Sequence, residues 1–473
     1  MAQSHPHVLF VALATHGHFN PGLHLANILS HGGVYVTFAT SSSVRHRLPK
    51  LPSSPNLSFS FFSDGQDDGF KLGNDVVPFL SQFERQASIA IRQTILKSKA
   101  NGKPFSFVVY SLLTPWMADV ACSFHLPSAL FWNQSAAVFA IYYHFFNGYK
   151  DVIGNAFSHP SIQIHLPGLP LLNSKQLPSL CNPANSNAFV LKLYETHFHV
   201  IKQEPHLKIL INTFDDLEHD ALRAISVDLI PIGPVLPSLS FFHPTNSMDL
   251  KPYIGWLNSK PKSSVVYVSF GSIAAVSTAQ LEEIARGLLD SKRPFLWVMR
   301  KTSDGDEGDL VSCREELAAK GKIVTWCSQL EVLLHPSIGC FLTHCGWNSS
   351  LESVACGVSV VAFPQWTDQS TNARIIEESS KNGVRLRMND DGIVERGEIK
   401  KCLDLVMGDG VEGESLRRNA LKWKDLANLA TTKGGSSNVN VSVFLDFVCN
   451  GGNRKEYLSK MSFNNLCLDL NPV

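Results

Sequence analysis

Short apolar runs alternate along the chain with longer segments of helical periodicity. Residues 7–14 form a continuous apolar run, as is typical of a strand buried in a parallel sheet. Thr15-His16-Gly17-His18 follows, and 21–30 predicts a helix. Further strands are predicted over 34–40, 105–111, 128–132 and 208–214, with helices over 115–124 and 136–147. This alternation predicts a parallel sheet covered by helices.

The same alternation begins again after residue 252. Strands are predicted over 264–270, 295–300, 323–326, 338–343 and 358–363, and helices over 278–291, 329–334, 348–355, 370–382 and 414–431. Residues 241–252 have no periodicity and contain prolines, so they predict a linker. The fold class is therefore α/β, with two doubly wound domains that face each other across a cleft.

These patterns set the predicted boundaries. The first domain covers 1–240 and the second 253–437, joined by the linker 241–252. Gly434-Gly435-Ser436-Ser437 predicts a helix stop and a new N-cap, so 438–449 forms a last helix that packs back toward the first domain. The tail 450–473 has little pattern and is expected to be disordered.

Composition excludes several classes of protein. The 473 residues are too many for one ordinary core. Lys plus Arg equals Asp plus Glu at 41 each, which gives no global field for nucleic acid or an anionic membrane. MAQSHPH has no basic n-region and no apolar run is long enough to span a membrane, so we expect a cytoplasmic protein. Ten cysteines without a CxxC pair predict free thiols rather than disulfides or a metal site.

One run concentrates the chemistry. In residues 341–352 an apolar strand meets a glycine turn, and polar residues then begin a helix. The start of a helix presents unpaired N–H groups and the positive end of the helix dipole, which suits a phosphate. His344, Asn348 and Ser349 would surround that anion with further donors. A nucleotide diphosphate is the predicted ligand.

The longer run 326–369, with its ordered Trp, Gln, His, Gly-Trp-Asn-Ser, Glu and closing Asp-Gln, resembles the signature box of plant family 1 glycosyltransferases. The resemblance implies the GT-B fold, with acceptor binding by the first domain and UDP-sugar binding by the second. It also implies that UDP-glucose is a co-substrate and that no metal or other cofactor is needed. Asp304-Gly305-Asp306 resembles a metal-binding DxD motif, but its polar, glycine-spaced context predicts a solvated loop.

The resemblance assigns the nucleoside to three residues. Trp326 would stack on uracil, although a core aromatic is the alternative. Gln329 would help to position the ribose. Glu352 offers two acceptor oxygens to the ribose hydroxyls, but Ser349-Ser350-Leu351-Glu352 also fits a capping box.

The same resemblance assigns the pyrophosphate and the sugar. Ser272, in a second strand–turn–helix segment, joins the phosphate donors, with an ordinary tight turn as the alternative. Asp368 and Gln369 match the residues that bind the sugar hydroxyls. A closing Gln together with Trp347 is associated in the family with glucose, so UDP-glucose is the expected donor.

The acceptor side depends on His18, which matches the catalytic base of the family. Many relatives carry an Asp that orients this His, but Ser111 occupies that position here, and Asp119 lies too far along the next helix. A Ser cannot offset the charge of an imidazolium, so the base should be weakened. We therefore expect an acidic acceptor, such as a phenol or a carboxylic acid. The replacement resembles the branch that contains anthocyanin 5-O-glucosyltransferases and enzymes that form glucose esters of crocetin or hormone acids.

The expected enzyme is an inverting glucosyltransferase that acts on a small lipophilic plant metabolite, as a monomer. Two alternatives stay open, a UDP-sugar epimerase and a UDP-sugar-binding protein with little transferase activity. Aromatic residues are candidates for the acceptor pocket, although a place in the core is the alternative for each: Phe19, Trp132, Phe139, Tyr142, Tyr143 and Phe146. The GxGxxG match at 408–413 follows a predicted helix rather than a strand, so we expect a loop there.

Overall fold

The computed structural model describes residues 6–46, 54–65, 76–185, 188–236, 252–271, 276–299, 301–302, 305–306 and 311–450. Seven parallel strands form the first sheet in the order β3-β2-β1-β4-β5-β6-β7. Their bounds are β1 His7–Val11, β2 Tyr35–Ser41, β3 Leu57–Phe62, β4 Phe107–Ser111, β5 Ser128–Trp132, β6 Lys208–Ile211 and β7 Leu229–Pro231. The helices between them are α1 His16–His31, α2 Val76–Ala100, α3 Met117–Ser123, α4 Ala136–His144, α5 Lys150–Ser158, α6 Ala188–Gln203 and α7 Asp215–Arg223.

Six parallel strands form the second sheet in the order β12-β9-β8-β13-β14-β15. They are β8 Val265–Ser269, β9 Phe295–Val298, β12 Lys322–Val324, β13 Ile338–Thr343, β14 Val360–Ala362 and β15 Gly383–Arg385, with a separate hairpin of β10 Lys301–Thr302 and β11 Gly305–Asp306. The remaining helices are α8 Pro252–Asn258, α9 Thr278–Asp290, α10 Arg314–Lys320, α11 Gln329–Leu333, α12 Trp347–Cys356, α13 Gln369–Arg374, α14 Arg396–Met407, α15 Val411–Thr431 and α16 Ser436–Cys449.

Each sheet is buried on both faces, as its continuous apolar strands require. In β1, Leu9 and Val11 belong to one buried cluster, whereas Val8 and Phe10 belong to another on the opposite face. The strands of the second sheet divide between two clusters in the same way. The predicted α/β class with two doubly wound domains is confirmed.

The last helix, α16, lies on the first sheet rather than on the second. The rings of Phe444 and Phe447 pack against Phe107 of β4, with centroids 5.7 and 5.9 Å apart. Asn440 Nδ2 donates to the carbonyl of Pro231, 2.8 Å away. Ser437 does not cap this helix, because its hydroxyl donates instead to the carbonyl of Gly233. The predicted tail begins at the last described residue, and the predicted linker lies outside the described residues except for Pro252, where α8 begins.

Two candidate motifs have structural roles. Gly408 and Gly410 flank the short connection between α14 and α15, so the GxGxxG match follows a helix as expected. Gly305 and Asp306 form the second strand of the small hairpin, whereas Asp304 lies outside the described residues. In the part of the chain that the structure describes, no helix is both long enough and apolar enough to span a membrane.

Strand order decides where a site can form. In the first sheet the order changes direction between β1 and β4, and in the second between β8 and β13. Ligands of such sheets bind at the carboxyl ends of the strands beside this switch point. His18 follows β1 and Ser111 ends β4, while Gly271 follows β8 and His344 follows β13. The predicted base and the predicted phosphate site therefore occupy the switch points of the two sheets.

Candidate functional site

His18 is the third residue of α1, which begins five residues earlier than predicted. The main-chain N–H groups of His18 and Phe19 both donate to the carbonyl of Thr15, 3.0 and 2.7 Å away. The ring of His18 is half-buried, and its Nδ1 is enclosed with no hydrogen-bond partner among the described residues. Burial lowers the pKa of His18 to about 4, so the ring is neutral at pH 7.

Ser111 does not orient His18 by a hydrogen bond. It is fully buried, and its Oγ, like the Nδ1 of His18, has no partner among the described residues. Asp119 is exposed on α3 and does not take over this role. The Nδ1 of His18 and the Oγ of Ser111 thus stay buried without partners among the described residues, and Ser111 occupies the position where many relatives carry an Asp.

The carbonyl of Gly17 joins the two domains next to this base. Pro21 has no N–H, so the carbonyl four residues earlier, that of Gly17, lacks its usual helical donor. Asn133 Nδ2 donates to it at 2.7 Å and Asn348 Nδ2 donates to it at 3.0 Å. Asn348 belongs to α12 of the second domain, so its amide bonds to the turn that carries His18. The sequence pattern indicated phosphate as the partner of this amide and did not indicate Asn133 as a residue of the site.

The start of α12 has the geometry expected of an anion site. Its N-cap is Gly346, which has no side chain with which to cap the first turn. The ring of His344 lies against two glycines, since a Cβ on Gly271 or Gly346 would come within 2.5 or 2.6 Å of its Nε2. The loop after β8 therefore approaches His344. Ser272 lies outside the described residues.

The predicted nucleoside residues are held by side-chain hydrogen bonds. Gln329 Nε2 donates to Ser349 Oγ at 2.9 Å and to Glu352 Oε2 at 2.8 Å. Burial raises the pKa of Glu352 to about 7, and the bond from Gln329 opposes that rise. The capping-box alternative fails, because α12 begins at Trp347 and Glu352 lies beyond its first turn. Trp326 is 60 % exposed, so it is not a core aromatic.

The loop 366–369 carries the predicted sugar-binding pair. Asp368 is buried, with Oδ1 accepting from Thr367 Oγ1 at 2.8 Å and Oδ2 accepting from Asn372 Nδ2 at 2.7 Å. Burial raises the pKa of this carboxyl, and both hydrogen bonds oppose the rise. Gln369 Oε1 accepts from the main-chain N–H groups of residues 365 and 366 at 2.8 and 3.1 Å. Its Nε2 amide is then the group suited to donate to a ligand.

Trp347 has a structural partner that the sequence did not indicate. Its Nε1 donates to the carbonyl of Asn212 in the first domain, 2.6 Å away. The side chain is buried in the same cluster as β4 and β5, together with Leu351 and Val354 of α12. The ring of Trp347 therefore holds α12 against the first domain. This contact accounts for a buried Trp at residue 347.

The aromatic residues proposed for the acceptor pocket are largely core. Phe19, Trp132 and Tyr142 are at most 4 % exposed. Phe19 packs edge-on against Phe38, and Trp132 packs against a ring cluster of Phe139, Tyr142, Tyr194 and Phe198. The structure favours the core alternative for these three residues, because dense packing leaves them no surface for a ligand. Tyr143 and Phe146 are partly exposed.

No metal site accompanies this arrangement in the described ranges. They contain no group of three or more His, Cys, Asp or Glu side chains arranged to hold a metal ion. The cysteines within those ranges are all free thiols, and most of them are buried.

Two doubly wound domains, with an uncapped helix start and a polar cluster at one switch point and a histidine at the other, are the arrangement expected of a glycosyltransferase that uses a nucleotide sugar. A family model described as "UDP-glucoronosyl and UDP-glucosyl transferase" matches residues 184–421. The chain belongs to this family and is a UDP-glycosyltransferase.

Curated relatives and a solved structure agree with this assignment. UDP-glycosyltransferase 75C1 of Solanum lycopersicum is 47 % identical, over 93 % of this chain and 98 % of the relative. Crocetin glucosyltransferase, chloroplastic, of Gardenia jasminoides is 48 % identical over 93 % and 97 %. Anthocyanidin 3-O-glucoside 5-O-glucosyltransferase of Verbena hybrida is 44 % identical over 94 % and 99 %. Os79 from O. sativa, crystallised in complex with U2F and trichothecene, superposes with a TM-score of 0.81 at 31 % identity, over 93 % of this chain and 100 % of that one. The predicted family and its GT-B fold are confirmed.

Proposed function

We propose that this enzyme transfers glucose from UDP-glucose to a phenol or carboxylic acid group of a small lipophilic plant metabolite, with inversion at the anomeric carbon. One observation carries the proposal. The side-chain amide of Asn348, at the start of α12, donates to the carbonyl of Gly17, the residue before His18. The phosphate end of the donor site and the base are thereby held side by side.

We assign the donor in three parts. Trp326 stacks on uracil through its exposed ring, and Gln329 with Glu352 binds the ribose hydroxyls. His344, Asn348, Ser349 and Ser272 surround the pyrophosphate together with the open N–H groups of α12. Asp368 and the Nε2 amide of Gln369 bind the glucose hydroxyls. The names of the curated glucosyltransferase relatives support glucose as the sugar.

His18 then acts as the general base. Its neutral imidazole takes the proton from the acceptor oxygen, which forms a bond to the anomeric carbon. The bond from that carbon to the phosphate oxygen breaks on the opposite side, and its electron pair leaves with UDP. An α-linked donor gives a β-linked product. The start of α12 and His344 stabilise the diphosphate as its charge increases, and no metal is required.

The acceptor class follows from what His18 lacks. The proton would arrive on an imidazole whose Nδ1 has no carboxylate partner in the described part of the chain, so the imidazolium is poorly stabilised. An acceptor that is already ionised, or that ionises readily, depends less on His18 to remove its proton. The crocetin and anthocyanidin activities in the names of two relatives fit such groups, which are a carboxylic acid and a phenol. Tyr143 and Phe146 are the partly exposed aromatic candidates for contact with this acceptor.

A monomer in the cytoplasm is the proposed working form. Both the base and the donor groups come from one chain, which supports a monomer as the complete catalytic unit. Light scattering of the purified protein and fractionation of plant cells would test these two points.

Acceptor-dependent release of UDP tests the function. We expect UDP-glucose with a phenol or a carboxylic acid to release UDP and to give a product heavier by one glucose unit. His18→Ala should lower this rate by at least about 100-fold and leave UDP affinity unchanged. His16→Ala is the matched control, since His16 is exposed in the same helical turn. Conversion of UDP-glucose without acceptor would instead indicate an epimerase, and binding without release would indicate a non-catalytic protein.

A further inference from the structure

The loop 366–369 is held in a conformation that its sequence does not favour. Thr367 has a φ of 54°, in the left-handed region that a β-branched residue rarely adopts. The neighbouring turn after β13 has the same feature, since Cys345 has a φ of 62°. Backbone in this region persists only where surrounding contacts hold it. The contacts that hold these two turns therefore decide where Asp368 is placed.

Ser179 of the first domain holds the first turn. The main-chain N–H of Thr367 donates to Ser179 Oγ at 2.7 Å, and the main-chain N–H of Ser179 donates back to the carbonyl of Thr367 at 2.8 Å. Thr367 Oγ1 in turn donates to Asp368 Oδ1 at 2.8 Å. The residue that directly precedes Asp368 is thus clamped through both of its main-chain polar groups.

Asn372 connects Asp368 to a second residue of the first domain. Its Nδ2 donates to Asp368 Oδ2 at 2.7 Å and to the carbonyl of Cys345 at 3.0 Å. Its Oδ1 accepts from Ser135 Oγ at 3.0 Å, at the N-cap of α4. Asn372 is fully buried, as is Ser135. The hydrogen bond from Ser135 to Oδ1 sets the orientation of the Asn372 amide. Both of its N–H groups are then directed at Asp368 and at the carbonyl of Cys345.

At the nucleoside end, α12 as a whole is held to the first domain by Trp347, but the side-chain hydrogen bonds of Gln329 all lie within the second domain among the described residues. The partners of its side chain are Ser349, Glu352 and Tyr267. Both oxygens of Asp368, in contrast, accept from residues that contact the first domain. The two ends of the donor site thus differ in what positions them.

We propose that Ser179 and Ser135 are positioning residues for the sugar end of the donor site, acting on Asp368 through Thr367 and Asn372. The inference rests on the proposed function, in which Asp368 binds glucose. Because both serines belong to the first domain, selection among sugars depends on the packing of the two domains. The side chains assigned to the nucleoside take no part in the bonds made by Ser179 and Ser135.

Serine variants test this separation. For Ser179→Ala and Ser135→Ala we expect the preference for UDP-glucose over UDP-galactose, measured as the ratio of kcat/KM values, to fall about 10-fold. The Kd for UDP should stay within about twofold, because no nucleoside contact changes. Ser174→Ala, in the same segment as Ser179, is the control and should leave both quantities unchanged. Ser135→Thr and Ser179→Thr keep a hydroxyl and should restore much of the preference. Melting curves of every variant identify any that fail to fold.

Asp368→Asn separates this inference from the proposed function. If it leaves the sugar preference intact, Asp368 does not bind the sugar and the donor assignment fails. If it abolishes the preference while both serine-to-alanine variants keep it, the positioning role alone is overturned. Equal losses of UDP affinity and sugar preference in folded serine variants would also overturn it, since a general loosening of the domains would then be the cause.

Discussion

The side-chain amide of Asn348 donates to the main-chain carbonyl of Gly17 at 3.0 Å, across 331 residues of chain. The carbonyl is available because Pro21, four residues on, has no N–H. Asn133 approaches the same oxygen from within the first domain. Pro21 therefore leaves the Gly17 carbonyl free to accept the hydrogen bond that joins α12 to the turn carrying His18.

Asn348→Ala should lower kcat more than it lowers UDP affinity. Without the amide, the turn carrying His18 loses its bond to the second domain, and small misplacements of a catalytic group are costly. We expect kcat to fall about 10- to 100-fold, while the Kd for UDP rises no more than about threefold because the N–H groups of α12 remain. Steady-state kinetics and titration calorimetry measure the two quantities. A loss of UDP affinity as large as the loss of kcat would mean that the amide acts mainly on phosphate.

Asn133→Ala is the matched variant, because it removes the other hydrogen bond to the Gly17 carbonyl and lies outside the run 326–369. Its effect on kcat should be smaller, since the bond between the domains persists. UDP affinity should not change. A larger effect than that of Asn348→Ala would show that placement of the His18 turn depends on the first domain alone.

Ser111→Asp should give His18 a charged partner. A carboxylate at this position would stabilise the imidazolium and raise the pKa of His18 from about 4 toward its ordinary value. The acidic limb of kcat/KM should then move to higher pH, and rates on an aliphatic alcohol should rise relative to those on a matched carboxylic acid. Ser111→Asn has a similar size without the charge and should change neither. An unchanged acceptor preference in Ser111→Asp would remove the missing carboxylate as the cause of acceptor selection.

The lowered pKa of His18 also predicts how the free energy of unfolding changes with pH. The unfolded chain protonates His18 near pH 6.5, whereas the folded protein does so only near pH 4. The unfolded state thus binds more protons in this window, and the contribution of His18 to the free energy of unfolding falls as pH falls from 6.5 to 4. His18→Gln, with no titrating group, should lose less stability than the wild type between these pH values, as measured by urea unfolding.

Glu352 should make UDP binding depend on pH near neutrality. Its pKa of about 7 in the free protein means that the carboxyl is half protonated at pH 7. Ribose hydroxyls donate to the ionised form, so binding lowers this pKa and releases a proton. UDP affinity should therefore fall as pH decreases through 7. Calorimetry in buffers of different ionisation enthalpy measures the proton release. Glu352→Gln is the control, since it keeps the titration of the diphosphate; the same release in that variant would exclude Glu352 as its source.

Trp326→Ala should weaken UDP without weakening the fold. Stacking of a base on an aromatic ring is worth about 1–3 kcal/mol, so we expect the Kd for UDP to rise about 5- to 150-fold. Because the side chain is 60 % exposed, the melting temperature should change little. Trp326→Phe should recover part of the affinity, and binding of inorganic pyrophosphate should be unaffected. Equal losses for UDP and pyrophosphate would mean that the ring does not stack on uracil.

Local patterns predicted most of the strands beside the switch points. Strands β5 and β13 match their predicted bounds, because each is a short apolar run with clear ends. The first turn of α1 was missed, since Pro21 indicated a helix start and the segment before it has no apolar periodicity. Strand β3 and helix α2 were not predicted either. The α2 segment does carry a helical pattern, since the buried residues Phe83, Ala87, Ile91 and Ile95 recur every four residues and pack against the first sheet, but this pattern was overlooked.

The sequence by itself determined the family and the fold class, and it predicts the chemistry of the donor site. It could do so because most of the relevant residues lie in one contiguous run, 326–369, whose ordered spacing carries the resemblance to the family. Only the tertiary structure decided how those groups are held. The partners of the Gly17 carbonyl, of Thr367 and of Asn372 lie 331, 188 and 237 residues away. Hydrogen bonds over such separations form only when the two domains pack together, and no local pattern encodes their pairing.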